Sequence, residues 1–403
     1  MVNIHISLAG EGRGHAARAR TLIDHLRQRH RVVVHTFGDA YAFLKPLYEG
    51  TRRFRSLTGR SRGPERPPYA VSVREIPGLR FAYGKSGKLD YVRTAARGLG
   101  LLGPLLRSTA QLKQTLIQEG ADLVITDFEP TLPRAARRVG VPVVALDHQS
   151  AFSHGDFWSL PQHLARHARA IGQFVRLYTP APDLQISSSF YEPKARRPLL
   201  GPAQDVHFVG VLLRDAVRRA LPVRGQYLLA YLRAGTSQST IEALRKSPCE
   251  VRLYGIADVQ SGGAIVSKAV SESGFVKDLA GCRAVVTTAG NQLLGEAIHL
   301  GKPVLAMPEP GNKEQEINGW FLERSGAGRT VPCHHFNADS LRSFLASERQ
   351  YVHAGLRLDV DGTAQALELI ESLIQTSVGG RSAPQLPVRA KEVPAAVATT
   401  ATA

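Results

Sequence analysis

The chain has 403 residues, 43% of them hydrophobic, with 37 glycines, 24 prolines, three cysteines and a formal net charge of +17. That length exceeds the size at which one core keeps growing, so two folded domains of roughly 150 to 200 residues are expected, and the apolar fraction excludes a wholly disordered chain. Three cysteines without metal-ligand spacing exclude a disulfide framework, and no apolar run approaches the roughly 20 residues of a membrane-spanning helix.

Val2 to Ala9 reads as an apolar strand that ends in Gly10-Glu11-Gly12-Arg13-Gly14-His15. The helix that follows keeps Leu22, Ile23 and Leu26 at helical spacing, and Arg31 to Thr36 is the next strand, which completes a βαβ opening. A dinucleotide fingerprint needs a third glycine at position 15, where His15 stands, so an NAD-binding reading is set aside. Thr51 to Pro68 is basic, rich in Pro and Gly and aperiodic, which predicts a mobile surface loop. Leu99 to Leu106 is leucine-rich and flanked by Arg93, Arg97, Arg107 and Lys113, a composition that fits an interfacial segment and a buried helix equally. Strands at Leu123 to Thr126 and Val141 to Leu146 end in polar residues. Asp127, Glu129, Asp147, His148 and Gln149 should therefore gather at the carboxyl edge of the first sheet.

Past a short strand at Val206 to Val209, the basic stretch Arg214 to Arg224 reads as an interdomain connection. Tyr227 to Leu232 then repeats the opening logic: a strand, the turn Arg233-Ala234-Gly235-Thr236-Ser237-Gln238, and a helix. Val251 to Gly255 is a further strand. The most informative segment runs from Ala284 to Arg329. A strand (Ala284 to Thr287) enters the small-residue turn Thr288-Ala289-Gly290-Asn291, and the helix after it carries Glu296. A second strand, Val304 to Met307, stops at Pro308-Glu309-Pro310-Gly311 before a helix on which Gln315 and Asn318 share a face. In a parallel sheet, strand carboxyl ends and helix amino ends line one crevice, where unpaired N–H groups suit phosphate. Helices predominate from Asp339 to Thr376, and the Ala-, Pro- and Thr-rich remainder reads as a disordered tail.

These residues resemble the donor-binding half of GT-B glycosyltransferases, especially glycosyltransferase families 1 and 28, which include the enzyme that makes the second lipid intermediate of peptidoglycan. The resemblance implies an α/β fold of GT-B architecture, two Rossmann-like domains with parallel sheets facing across a cleft. Residues 1–213 would bind the acceptor and 214–376 the nucleotide-sugar donor, with the last helix crossing back and 377–403 forming the tail. It also implies that Ala289, Gly290 and Asn291 face the diphosphate, that Glu296 holds the ribose hydroxyls, and that Gln315, with Asn318 beside it, contacts the sugar or ribose. Gly235, Thr236 and Ser237 would line the cleft by the donor phosphates. A uracil ring would rest beside Phe275, which as a core aromatic is explained equally well. Glu314 stands where the lipid-intermediate enzymes often carry a second Gln, which leaves the donated sugar open.

Transfer with inversion needs a base for the acceptor hydroxyl, and histidine titrates near neutral pH. By family position that base is His15, oriented by Asp127, with Gly12 and Gly14 lining the substrate cleft. His148 and Glu129, which end strands on the same edge, are the competing candidates. No cofactor and no metal is expected: the only Asp-x-Asp, Asp359-Val360-Asp361, lies far from any strand-end loop. The expected donor is a UDP-sugar, with a dTDP-sugar as the alternative, and the acceptor is a small molecule, glycan or lipid. The positive charge suits such anions and an anionic membrane surface. The spread arginines lack any specific nucleic-acid-binding signature. MVNIHISLAGEGRGH carries no signal-peptide charge pattern, so a cytoplasmic protein, peripheral on the inner face of the cell membrane if it meets lipid, is expected. A nucleotide-sugar 2-epimerase of the same fold and a non-catalytic nucleotide-sugar-binding homologue are the alternative functions.

Overall fold

The computed structural model describes residues 1–49, 69–78, 91–195, 206–233, 235–269, 271–351 and 359–379. The front half contributes β1 (Asn3–Leu8), β2 (Arg31–Thr36), β3 (Val71–Glu75), β4 (Leu123–Asp127), β5 (Val143–Asp147), β6 (Gly155–Asp156), β7 (Leu184–Ser188), β8 (Lys194–Ala195) and β9 (Val206–Val209). Seven of these form a parallel sheet in the order β3-β2-β1-β4-β5-β7-β9, while β6 and β8 pair apart from it as an antiparallel ribbon. The rear half contributes β10 (Leu228–Tyr231), β11 (Val251–Tyr254), β12 (Ile265–Ser267), β13 (Ala284–Thr287), β14 (Val304–Ala306) and β15 (Gly328–Thr330). They form a second parallel sheet, β12-β11-β10-β13-β14-β15. In both sheets the strand order reverses beside the first strand, between β1 and β4 and between β10 and β13. At such a switch point the flanking loops part and a crevice opens at the carboxyl ends of the strands.

Alternation along β1 explains how it is held. Ile4, Ile6 and Leu8 pack with Leu22, Ile23 and Leu26 of the helix Gly14–Leu26. The opposite side chains, Asn3, His5 and Ser7, are also buried, and they form a polar file beneath the other layer of helices. His5 Nδ1 lies 3.0 Å from His35 Nε2, with the rings stacked at 5.2 Å between centroids. One nitrogen donates and the other accepts. Among the described residues the outward nitrogens, His5 Nε2 and His35 Nδ1, have no hydrogen-bond partner, though Glu119 Oε2 lies 3.6 Å from the former. Burial pushes His5 down to about 4 and His35 well below the ordinary histidine value.

The chain threads between the lobes through alternate residues: Val211 and Leu213 pack in the rear core and Leu212 in the front one. The stretch expected as a bare connection contains a short helix, Asp215–Arg218, whose Val217 is buried in the rear core. The last helix, Thr363–Gly379, returns to the front lobe, where Ala366, Ile370 and Ile374 join its core and Glu371 bonds His30 Nε2 at 3.1 Å. It runs past the expected tail boundary at Ser377 because its apolar stripe has a core to cover; residues 380–403 of the tail lie outside the described residues. The basic loop at 51–68 lies outside them as well. The leucine-rich stretch belongs to the helix Tyr91–Gln118, on which Leu106 is exposed, while nothing is described for the side chains of Leu99, Leu101 and Leu102. Among the described residues no helix is long and apolar enough to cross a membrane.

Because the unfolded chain binds protons at His5 near pH 6.5 and the folded chain only near 4, stability is fully present above 6.5 and falls as the pH drops toward 4. His5 alone accounts for a loss of about 2 kcal/mol between pH 7 and pH 5. Urea unfolding of the variant His5→Phe/His35→Phe should show a decline shallower by at least that amount; an unchanged slope would contradict the buried neutral pair.

Candidate active site

The front switch point is built by two loops. After β1 the chain passes Gly10, where a Cβ would lie 2.2 Å from the Phe37 carbonyl oxygen, so only glycine lets the two strand ends approach this closely. His15 then enters the first turn of the helix Gly14–Leu26, in the place a close-packing glycine would take in a dinucleotide fold. The strand β4 ends in Asp127, followed by Phe128 at φ +56°, a left-handed conformation uncommon for a bulky residue. Its ring packs against the stacked rings of Phe174 and Tyr178, and this packing fixes the bend directly behind Asp127.

The two loops meet side chain to side chain. His15 Nδ1 lies 2.8 Å from Asp127 Oδ1. Arg18, one helical turn beyond His15, is fully buried and donates to both carboxylate oxygens, Nε to Oδ2 at 2.9 Å and Nη2 to Oδ1 at 2.7 Å. A ring nitrogen facing a carboxylate at this distance carries the proton, so the other nitrogen, Nε2, keeps the lone pair. The 3.2 Å approach of Arg18 Nη2 to His15 Nδ1 is then two donors converging on one anion. The His15 side chain is 16% exposed and that of Asp127 5%, so the pair is buried from the carboxylate side and open at the imidazole tip. Burial alone drives the Asp127 carboxyl upward; the Arg18 guanidinium and His15 overcome it and hold the group below the usual aspartate value.

The competing bases are occupied elsewhere. Glu129 accepts from the backbone N–H groups of Thr131 and Leu132 at 2.7 and 3.0 Å and from the Thr131 hydroxyl, which caps the helix Thr131–Arg137 from inside the protein. Burial raises its pKa, and only 1% of its surface is exposed. His148 is buried between the lobes, its Nε2 3.2 Å from Asn318 Oδ1, and burial lowers its pKa. Asp147 accepts from Ser150 N at 2.6 Å and is pushed up to about 6 by burial and then by the nearby charge of Asp127.

Of three rear-lobe residues expected at the donor, Asn291 and Asn318 bond across to the front lobe and Glu296 is held within the rear one. Asn291 accepts from Ser189 Oγ and Phe190 N and donates to Ser188 O. Asn318 donates to Ala289 O at 3.0 Å and meets His148. Glu296, buried at 2% exposure, is gripped by Arg214, with Nε to Oε1 at 3.0 Å and Nη2 to Oε2 at 2.6 Å. Phe275 lies in the helix Glu272–Gly281 with its ring against Tyr231 and Tyr254 and the Arg214 guanidinium at 5.9 Å. The remaining groups face the gap. Gly235 takes φ +100°, Thr236 closes the turn onto Arg233 O at 3.1 Å through its amide, and the Ser237 hydroxyl caps the helix Gln238–Arg245. Gly290 begins the helix Asn291–His299, and a Cβ there would meet nothing within 4 Å.

The front and rear loops are opposite one another. A Cβ on Gly14 would be 3.8 Å from Gln292 Cβ, and one on Gly12 would be 3.7 Å from Arg233 Nη2. Arg233 Nη1 in turn is 3.5 Å from Glu309 Oε2, to which Gln315 donates at 2.9 Å while accepting from the Glu309 amide at 2.7 Å. The glycine loop before His15 thus faces the Arg233, Glu309 and Gln315 cluster. The Asp359-Val360-Asp361 run is at the start of the last helix, where Asp361 accepts from Thr363 N and pairs with Arg218. Sequence reasoning missed Arg18, Arg214, Arg233 and Glu309. The one available signal was Arg18 at His15+3, on the same helical face.

Two parallel sheets with reversed strand order, their switch-point loops set face to face, share the GT-B architecture of solved glycosyltransferases. Residues 2–348 match the family described as Glycosyl transferase family 1, and the chain belongs to that family. It is 24% identical over 365 residues, 82% of this chain and 86% of the relative, to an uncharacterized glycosyltransferase of Methanosarcina acetivorans. The glycotransferase of kitacinnamycin shares the fold at a TM-score of 0.59 with 16% identity, over 92% of this chain and 98% of the other. The Streptomyces sp. SF2575 glycosyltransferase SsfS6, solved with thymidine diphosphate, does so at 0.56 and 17%, over 92% and 100%.

Replacing Arg18 by Met leaves Asp127 and Asp147 buried without their cation. Denaturant unfolding should show a loss of about 3 kcal/mol, the scale for breaking one side of a buried ion pair. A loss below about 1 kcal/mol, the range of exposed pairs, would contradict a structural role for the guanidinium.

Proposed function

We propose that this enzyme moves a sugar from a nucleoside-diphosphate-sugar to an acceptor hydroxyl with inversion at the anomeric carbon. Residues 1–213 bind the acceptor and 214–376 the donor. The observation that supports this reading is the His15 imidazole, fixed through Nδ1 by Asp127 at the front switch point, directly after Gly14, the residue of the loop that approaches Gln292 of the rear lobe.

In this mechanism His15 Nε2 accepts the hydroxyl proton as the acceptor oxygen bonds to the anomeric carbon. The carbon–oxygen bond to the β-phosphate breaks on the opposite face and its electron pair leaves with the diphosphate. Asp127 stabilises the imidazolium that forms, as in other pairs of base and orienting carboxylate, and Arg18 holds that carboxylate in one rotamer. Backbone N–H groups of Gly235 and Ser237 and the amino end of the helix Asn291–His299 meet the departing diphosphate. Gln315, held beside Arg233 by Glu309, faces the sugar end of the donor. A UDP-sugar is the donor that the resemblance implies; the thymidine diphosphate bound to SsfS6 supports a dTDP-sugar as the second reading. A lipid acceptor would bring the exposed Leu106 and Arg107 of the helix Tyr91–Gln118 to an anionic bilayer surface.

Thermal unfolding against a panel of nucleoside diphosphates should reveal the donor, because a ligand at about 100 times its dissociation constant adds roughly 2.7 kcal/mol. No shift with any of them would contradict the reading. His15→Ala should keep nucleotide binding and cut acceptor-dependent nucleotide release by about 10²–10⁴-fold, the share of a positioned general base. An unchanged rate would remove His15 as the base. Donor isomerised without acceptor would point to epimerisation.

A further inference from the structure

The helix Gln162–Tyr178 buries Leu164, Ala168, Gly172 and Val175, and a Cβ on Gly172 would lie 2.2 Å from the Phe152 carbonyl oxygen, so this stripe is seated directly on the helix Ser150–His154. Its other side is exposed along its length, at Arg166, Ala170, Gln173 and Leu177. Large apolar side chains stand out from it: Leu177 is 81% exposed and Phe174 47%. Trp158, in the turn before the helix, is 79% exposed, and its ring is joined to the same side by the Arg169 guanidinium, 5.1 Å from the centroid. The charge here has one sign. From Phe157 to Pro182 the sequence holds three arginines and two histidines and no aspartate or glutamate. The acids that bound this stretch are committed to main chain: Asp156 accepts from Trp158 N at 3.1 Å and Asp183 from Val143 N at 2.8 Å.

Single apolar side chains on a surface need no partner to explain them. An exposed indole under a guanidinium, with an exposed Phe and Leu on a helix whose ionic charges are all positive, has the composition of a segment that lies in a headgroup layer. There the rings and the leucine enter the acyl boundary, and the arginine heads stay at the level of the lipid phosphates. The surface is the outside of a helix, convex along its axis, which suits a plane. Positive charge without interspersed acids suits an anionic one. We propose that this face docks the front lobe on an anionic lipid bilayer, with Trp158, Phe174 and Leu177 inserted at headgroup depth. The contact holds whatever the acceptor is, and it is made by a different helix from Tyr91–Gln118. It also lies close to the site, because Phe174 and Tyr178 pack against Phe128, the residue after Asp127.

The chain has two tryptophans, so Trp320→Phe leaves Trp158 as the sole indole. Mixed with vesicles of phosphatidylcholine and phosphatidylglycerol, this full-length variant should cosediment, and its Trp158 emission should move to shorter wavelength. With phosphatidylcholine alone neither should happen. Arg166→Gln/Arg169→Gln should weaken partitioning about 25-fold, at about fivefold for each cation near an anionic surface. Absence of cosedimentation, an equal response to both kinds of vesicle, or partitioning unchanged by the two arginine replacements would overturn the inference. Cosedimentation with the Trp158 emission unmoved would overturn it as well, and would leave a bilayer contact through Leu106 standing. Self-association seen by light scattering without lipid and abolished by Leu177→Ser would make the face a contact between copies and likewise overturn it. Where Trp320→Phe does not fold, the spectral shift present in the wild type and lost in Trp158→Phe gives the same readout.

Discussion

The constraint on which the site depends is the bidentate bond from buried Arg18 to Asp127. A carboxylate at the end of a central parallel strand has lost nearly all its water, and without a partner it would protonate or turn away. Arg18 supplies a rigid planar fork from the adjacent helix, which holds the carboxylate charged and in one orientation. The orientation of His15 follows, since its Nδ1 completes the shell of the same oxygen. Because the helix begins at Gly14, imidazole and guanidinium share one face, and the first helix of the front lobe carries both parts of the device.

The rear lobe is joined to this site by polar contacts and by packed chain. Asn291, Asn318 and Gln292 each bond backbone or side chains of the front half or of the crossing segment, and His148 is sealed beneath them. These buried amides fix the spacing between the two switch points. An ion-pair file runs alongside, with Arg20 of the first helix on Glu272, Glu272 on Arg214, and Arg214 on Glu296. The small turns and the Arg233, Glu309 and Gln315 cluster lie where the loops of the two lobes approach, while Asn291, Asn318, Gln292 and Glu296 are engaged in protein contacts.

Much of the fold was legible because parallel strands buried on both faces read as apolar runs, and glycine- or proline-rich turns mark where they stop. The placement of His15 and Asp127 on one edge was legible for the same reason: one stands in the first turn after the β1 loop, the other ends β4, and strands of one parallel sheet end on one edge. Arg18 was not, since one arginine among many on an Arg-rich helix reads as a surface cation, and its burial arises only when β4 is laid beside β1. Arg214 read as part of a basic connector because sequence gives no sign that the segment's alternate residues are core. Glu129 read as a base candidate from its place at a strand end, whereas two local amide bonds commit it to capping a helix. The His5 and His35 pair was hidden by alternation, which in a strand buried on both faces puts polar residues against each other instead of in water.

The proposed chemistry requires the leaving diphosphate and the imidazole to share one gap. The crystal structure of the enzyme with a bound nucleoside diphosphate tests this most directly. The diphosphate should lie between the Gly235–Ser237 turn and the start of the helix Asn291–His299, with the terminal phosphate across from His15 Nε2. A diphosphate bound on any other face, or with its terminal phosphate turned away from His15, would contradict the account.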